Sequence, residues 1–172
     1  MIITPDTHLV SPETGYTWNP KKASEGWQRS YRELGQRLTK LMDGRLLMTV
    51  GIVASGKTSI LDGTHGNEEL SALIREKYDV VFDAWFYRRV SRSAVLNIAI
   101  GAGWTVDCLF VGTPMEICVE RNLARFEHKP VPMSVLSEQA DKLQPPELSE
   151  GFSRITRIGN DADMGGYLYQ AM

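Results

Sequence analysis

The stretch Gly51-Ile52-Val53-Ala54-Ser55-Gly56-Lys57-Thr58 constrains this chain more than any other. It follows the pattern G-x-x-x-x-G-K-[ST], and the run before it, Arg45 to Val50 (RLLMTV), is apolar enough to be a buried strand. The glycines let the backbone curl until successive N–H groups point inward, where phosphate oxygens bind. A helix beginning at about Lys57 adds its positive end. Lys57 reaches the outer phosphates of a nucleoside triphosphate, and the Thr58 hydroxyl is a ligand for Mg²⁺. Gly51, Ala54, Ser55, Gly56, Lys57, Thr58 and Ser59 are therefore the candidate contacts for ATP, with Mg²⁺ as its companion ion.

Around this loop the chain alternates strands and helices. Asp79 to Phe82 and Trp104 to Val111 read as further buried strands, and Phe152 to Ile158 as a last one. Helical spacing marks Glu68 to Lys77, Ser91 to Ala102, Pro114 to about Phe126, and Met133 to Leu143. Such alternation predicts an α/β fold: a parallel sheet with helices on both faces, and ligands beyond the carboxyl ends of the strands. Residues 1–23 read as irregular. Ser24 to Met42 reads as one helix, with Trp27, Tyr31, Leu34, Leu38 and Leu41 at helical spacing. The expected organisation is an N-terminal helical extension, 1–44, followed by a P-loop kinase domain, 45–172.

Composition sets outer bounds. A net charge of −2 from 19 basic and 21 acidic residues argues against a protein that coats nucleic acid, although a local basic groove suffices for a nucleic-acid substrate. The absence of a long apolar run or a basic leader predicts no membrane association and a cytoplasmic location, with a phage-encoded protein in a host cytoplasm as one form of it. Cys108 and Cys118 lie in apolar surroundings and are expected to pack rather than to react.

Other residues complete the expected site. Arg121 and Arg125 are one helical turn apart and share a face, where two guanidinium groups can stabilise charge on a transferred phosphoryl group; the alternative is a solvated pair answering Glu116 and Glu120. Asp83 ends the second strand and can serve as a Mg²⁺ ligand or as a proton acceptor, with a simple capping role as the alternative. Trp85, Arg88 and Arg89, with Phe86, Tyr87 and Arg92 nearby, combine stacking surfaces with phosphate-pairing charge, the composition of a nucleic-acid contact; core aromatics beside a basic turn would look the same. The catalytic set so defined is Lys57, Asp83 and Arg125. His65 and His128 read as loop residues.

The phosphate loop, the strand end Val80-Val81-Phe82-Asp83, and the run Glu116-Ile117-Cys118-Val119-Glu120-Arg121-Asn122-Leu123-Ala124-Arg125 followed by Val131-Pro132 together resemble polynucleotide kinases of phages and of eukaryotic repair. Pro146 with Glu150-Gly151-Phe152 is similar to a segment of that wider kinase group. The resemblance spans roughly residues 45 to 158. It implies that Arg121 and Arg125 lie over the ATP phosphates and that the product is a phosphate ester on a nucleic-acid hydroxyl. The chain departs from the family at one place. Between the phosphate helix and the strand ending in Asp83, the family carries a strand and helix with an Asp general base and an Arg for the acceptor phosphate. Only Ser59 to Tyr78 is available here, with no strand in which Asp is followed by Arg. Asp83 is then the first candidate for the base and Asp62 the second. A remodelled acceptor side also fits phage kinases that phosphorylate the hydroxymethyl group of 5-hydroxymethyluracil in DNA. A small-metabolite or nucleoside kinase and a non-catalytic nucleotide-binding module are the alternatives.

Overall fold

The computed structural model describes residues 1–6, 10–11, 15–16, 19–125, 130–159 and 170–171. Its strands are β1 (Ile2–Ile3), β2 (Val10–Ser11), β3 (Gly15–Tyr16), β4 (Arg45–Val50), β5 (Val80–Phe82), β6 (Thr105–Val111), β7 (Arg154–Ile158) and β8 (Gln170–Ala171). Its helices are α1 (Pro20–Leu38), α2 (Lys57–Asp62), α3 (Glu68–Lys77), α4 (Arg89–Gly101), α5 (Met115–Leu123) and α6 (Met133–Asp141). The main sheet runs β1-β5-β4-β6-β7-β8; its first five strands are parallel, and β8 pairs antiparallel with β7. β2 and β3 form a separate antiparallel pair.

The period-two geometry of strands divides the apolar runs between two cores. Leu46, Met48, Val50, Val80, Phe82, Val106 and Cys108 face one way, onto α1 and α4 through Leu34, Leu38, Val95, Leu96 and Ala99. Leu47, Val81, Leu109 and Val111 face the other way, onto Ile60, Leu61 and Ile74 of α2 and α3. Both faces are covered, as a parallel sheet requires, and this is why β4 to β6 read as continuous apolar runs rather than alternating ones. A third cluster joins Ile52 and Val53 of the phosphate loop to Cys118 of α5, Val131, and Leu136 of α6. The loop is thereby clamped from outside the sheet.

The first residues of the chain differ from expectation. Ile2 and Ile3, read as irregular, are an edge strand in register with Val81 and Phe82. Two residues are too few to show periodicity. The helix begins at Pro20, not Ser24, because Asn19 caps it: its side-chain oxygen accepts from the N–H groups of Lys21 and Lys22 at 3.0 and 3.1 Å. Ile3, Leu34 and Leu38 all belong to the first core. The segment expected as an extension, 1–44, thus shares its packing with 45–172.

Candidate phosphate-binding site

β4 delivers the loop to the carboxyl edge of the sheet. Gly51 has φ +155°, and a Cβ there would lie 2.8 Å from both Ser55 Oγ and the Val111 carbonyl, so a side chain cannot be accommodated. Gly56 has φ +101°, and its ideal Cβ position is 3.2 Å from Arg121 Nη1. Between them Ala54 adopts φ +60°, a left-handed conformation that costs a non-glycine residue roughly 1 kcal/mol and persists only where surrounding structure imposes it. Part of that surrounding structure is Gln139 of α6, whose Oε1 accepts the Val53 N–H at 2.8 Å. Thr113 contributes too, its hydroxyl donating to the Ser55 carbonyl at 2.6 Å.

Lys57 is buried inside the curl. Its ammonium donates to the carbonyls of Gly51 and Ile52 at 3.0 and 2.8 Å and to Ser55 Oγ at 3.2 Å. Burial pushes its pKa down, while Asp83 and Asp6 pull it back up. Asp83, just past β5, is buried as well. Thr49 donates to its Oδ1 at 2.7 Å and Thr58 to its Oδ2 at 3.4 Å. Burial raises its carboxyl pKa; Lys57 and the two threonine hydroxyls oppose the rise. Thr58 and Asp83 are hard oxygen donors side by side at the loop, the donor set that suits Mg²⁺ held jointly with phosphates. Bound there, the ion would neutralise charge on the phosphates.

Arg121 reaches the loop from α5 and donates from Nη1 to the Ser55 carbonyl at 3.2 Å. It and Arg125 line a cleft of about 470 Å³ together with Val53, Ala54, Gly56, Lys57, Thr58, Ser59 and Asp83. Sequence elements separated by more than 60 residues thus converge on one volume. Trp85 lines the same cleft, and its carbonyl accepts the Gly51 N–H at 3.0 Å.

Other expectations are redistributed. Arg88 and Arg89 are not among the residues lining this cleft. Arg89 pairs with Glu147 at 3.1 Å, and its backbone N–H donates to Gln144. Arg92, grouped with them as a basic turn, is fully buried and holds Glu150 through two 2.7 Å bonds, so its role is structural. Asp62, the second candidate base, accepts the Thr64 N–H at 2.9 Å and does not line the cleft. His128 lies outside the described residues.

Two polar residues of the cleft lining were not foreseen as part of the site. His65 is on a loop, as read, with φ +57°, yet it lines the cleft. Asp6 lies on the turn that leaves β1 and also lines it. The sequence carries no signal for Asp6, because the pairing that brings it there is long-range and only two residues long.

A family model described as an AAA domain matches residues 63–146, just under half of the chain and beginning beyond the phosphate loop. The crystal structure of AvrRxo1-ORF1:AvrRxo1-ORF2 with sulphate ions contains a similar fold, with TM-score 0.53 and 14% identity, covering 88% of this chain and 67% of that one. A protein of the PezAT chromosomal toxin–antitoxin system of the human pathogen Streptococcus pneumoniae matches with TM-score 0.41 and 12% identity, covering 86% of this chain and 81% of that one. No curated protein matches the chain significantly. Among the described residues, no helix is long and apolar enough to cross a membrane. With its phosphate loop at the carboxyl edge of a parallel five-strand array, the chain has a P-loop NTPase-type α/β fold, the kind of domain that implies nucleotide binding.

Proposed function

We propose that the protein is an ATP-dependent kinase that transfers the γ-phosphoryl group to a hydroxyl. One observation carries this reading: Lys57, Thr58, Asp83, Arg121 and Arg125 line a single cleft. Phosphoryl transfer is catalysed mainly by positioning and by positive charge around the migrating group. The loop and Lys57 supply the phosphate cradle, Thr58 and Asp83 are the residues that would hold Mg²⁺, and the two arginines supply further charge from α5 and its C-terminal end. Trp85 gives the cleft an aromatic face against which a base or sugar can pack.

A hydroxyl on nucleic acid, either a 5′ end or a hydroxymethylated base, is the acceptor supported by the sequence resemblance. A small metabolite or nucleoside is favoured by a separate observation, since Arg88 and Arg89 lie off the cleft and Arg89 is engaged by Glu147. The deciding experiment uses γ-labelled ATP and Mg²⁺ with 5′-hydroxyl DNA and RNA oligonucleotides, DNA containing 5-hydroxymethyluracil, and free nucleosides. Wild type should form a labelled ester with one class, and Lys57→Ala should form at least 100-fold less. Equal transfer by Lys57→Ala overturns the assignment. Nucleotide binding without transfer to any acceptor identifies a non-catalytic module instead.

A further inference from the structure

Between α2 and β5 the chain has α3 but no strand, so the strand carrying the family's general base is absent, yet a second carboxylate lines the cleft. β1 occupies the outer edge of the sheet beside β5, in register Ile2 with Val81 and Ile3 with Phe82. The Asp83 N–H donates to the Ile3 carbonyl at 2.8 Å. Only Thr4 and Pro5 separate Ile3 from Asp6, so the two lie at most about 10 Å apart along the chain. The edge strand therefore delivers Asp6 to the same end of the sheet as Asp83, and Asp6 lines the cleft with Lys57 and Arg125.

We propose that Asp6 is the acceptor-side catalytic residue, a carboxylate that orients the attacking hydroxyl and takes its proton. The assignment rests on the kinase reading. It follows from a division of labour between the two cleft aspartates. Both oxygens of Asp83 accept threonine hydroxyls, and one of those is Thr58 of the phosphate loop, which commits Asp83 to the phosphate and metal side. Asp6 comes from a different strand, is partly rather than fully buried, and lies on the turn where substrate from solvent can meet it. In the step itself, the acceptor oxygen forms a bond to the γ-phosphorus as the bond from that phosphorus to the bridging oxygen breaks. The hydroxyl proton passes to the Asp6 carboxylate, and ADP leaves with the bridging electron pair, held by the loop and Lys57. Burial is the largest influence raising the proton affinity of Asp6, against the opposing pull of Lys57 and Arg125.

The test is made on the full chain with the acceptor that wild type phosphorylates in the screen above. Asp6→Asn should lower kcat at least 100-fold, while KM for ATP, the affinity for a fluorescent ATP analogue and the melting temperature stay near wild-type values. Asp6→Glu, which keeps the carboxylate, should recover part of the rate. Transfer by Asp6→Asn within threefold of wild type overturns the assignment and leaves the kinase reading standing. A rate loss matched by an equal loss of analogue binding or of folded protein also overturns it, because Asp6 would then be structural. Wild type that transfers to no acceptor fails at the kinase reading, a separate outcome.

Discussion

Thr58 and Asp83, 25 positions apart, meet across the heads of two adjacent strands, the hydroxyl of one 3.4 Å from Oδ2 of the other. The contact joins the last residue of the loop motif to the first residue beyond β5, and it depends on β4 and β5 pairing in register, Leu46 with Val80 through Met48 with Phe82. Asp83→Asn keeps an acceptor for Thr49 but removes the charge. Since burial raises the Asp83 carboxyl pKa, the folded state pays for ionisation at neutral pH. That cost is fully present above the raised value and disappears as pH falls below the ordinary carboxylate range. Asp83→Asn is therefore expected to melt no lower than wild type at pH 7, with any advantage shrinking toward pH 4, while Mg²⁺-dependent binding of an ATP analogue falls at least tenfold. Thermal melts and binding titrations with and without Mg²⁺ check both halves. A variant that binds normally with Mg²⁺ contradicts the metal-side role.

Arg121 tests the α5 side of the cleft. Its Nη1 touches the Ser55 carbonyl and sits where a Cβ on Gly56 would press, so α5 and the loop are fitted to each other. Arg121→Ala should weaken ATP binding about tenfold, roughly 1.4 kcal/mol, and lower transfer further, because the guanidinium answers charge that develops during transfer. Arg121→Lys should recover little, since an ammonium cannot reproduce the fork. Gly56→Ala should be at least as damaging, as it combines an unfavourable φ with crowding of Arg121. Measured affinities within twofold of wild type for Arg121→Ala would remove it from the site.

A different arginine carries stability. Arg92 is fully buried, binds both oxygens of Glu150, and donates from Nη1 to the carbonyls of Phe86 and Gln144 at 2.9 and 2.8 Å. It pins the turn at Leu148–Glu150 and the entry to α4 against each other. Arg92→Met leaves a buried carboxylate and two carbonyls without their partner, and should cost about 3–5 kcal/mol. The double variant Arg92→Met with Glu150→Gln should recover part of that loss, because it removes the charge of a buried carboxylate left, among the described residues, with only Arg89 at 3.9 Å and the Glu147 N–H. Denaturant unfolding of wild type, Arg92→Met, Glu150→Gln and the double variant measures the coupling.

These cases also show which parts were legible in the sequence. The loop motif and the apolar strands β4, β5 and β6 were readable because their constraints are local: fixed glycines, and runs of residues buried on both faces. Arg121 and Arg125 could be placed by their one-turn spacing only together with the phosphate loop in the same chain and the family resemblance. Arg92 could not be told from Arg88 and Arg89, because nothing in the run from Trp85 to Arg92 says which side chain turns inward toward Glu150, 58 positions away. Asp6 was invisible for a related reason. Its location depends on two backbone pairings made by Ile2 and Ile3, a run too short to show the period-two pattern of a strand.

The last expectation concerns alkaline pH. Burial raises the thiol pKa of Cys108 and Cys118 above the usual 9.0. For Tyr78, burial is again the largest cause of the upward shift from 10.0, followed by the Asp107 carboxylate, which accepts its hydroxyl at 2.7 Å. In the unfolded chain these groups release protons near their ordinary values; in the folded chain they hold them. The unfolded state is then favoured as pH rises, and the stability present below about pH 9 is lost above it. Each group contributes a slope of up to about 1.4 kcal/mol per pH unit inside its window. Urea unfolding at pH 8 and pH 10.5 should show a marked fall in stability, and neither cysteine should react with a thiol reagent at pH 8 until the protein unfolds. Replacing Cys108 and Cys118 by Ala should lower stability at pH 8 through lost packing, yet flatten the decline between the two pH values. A decline as steep as that of wild type would mean that the two thiols ionise as freely in the folded protein as in the unfolded chain.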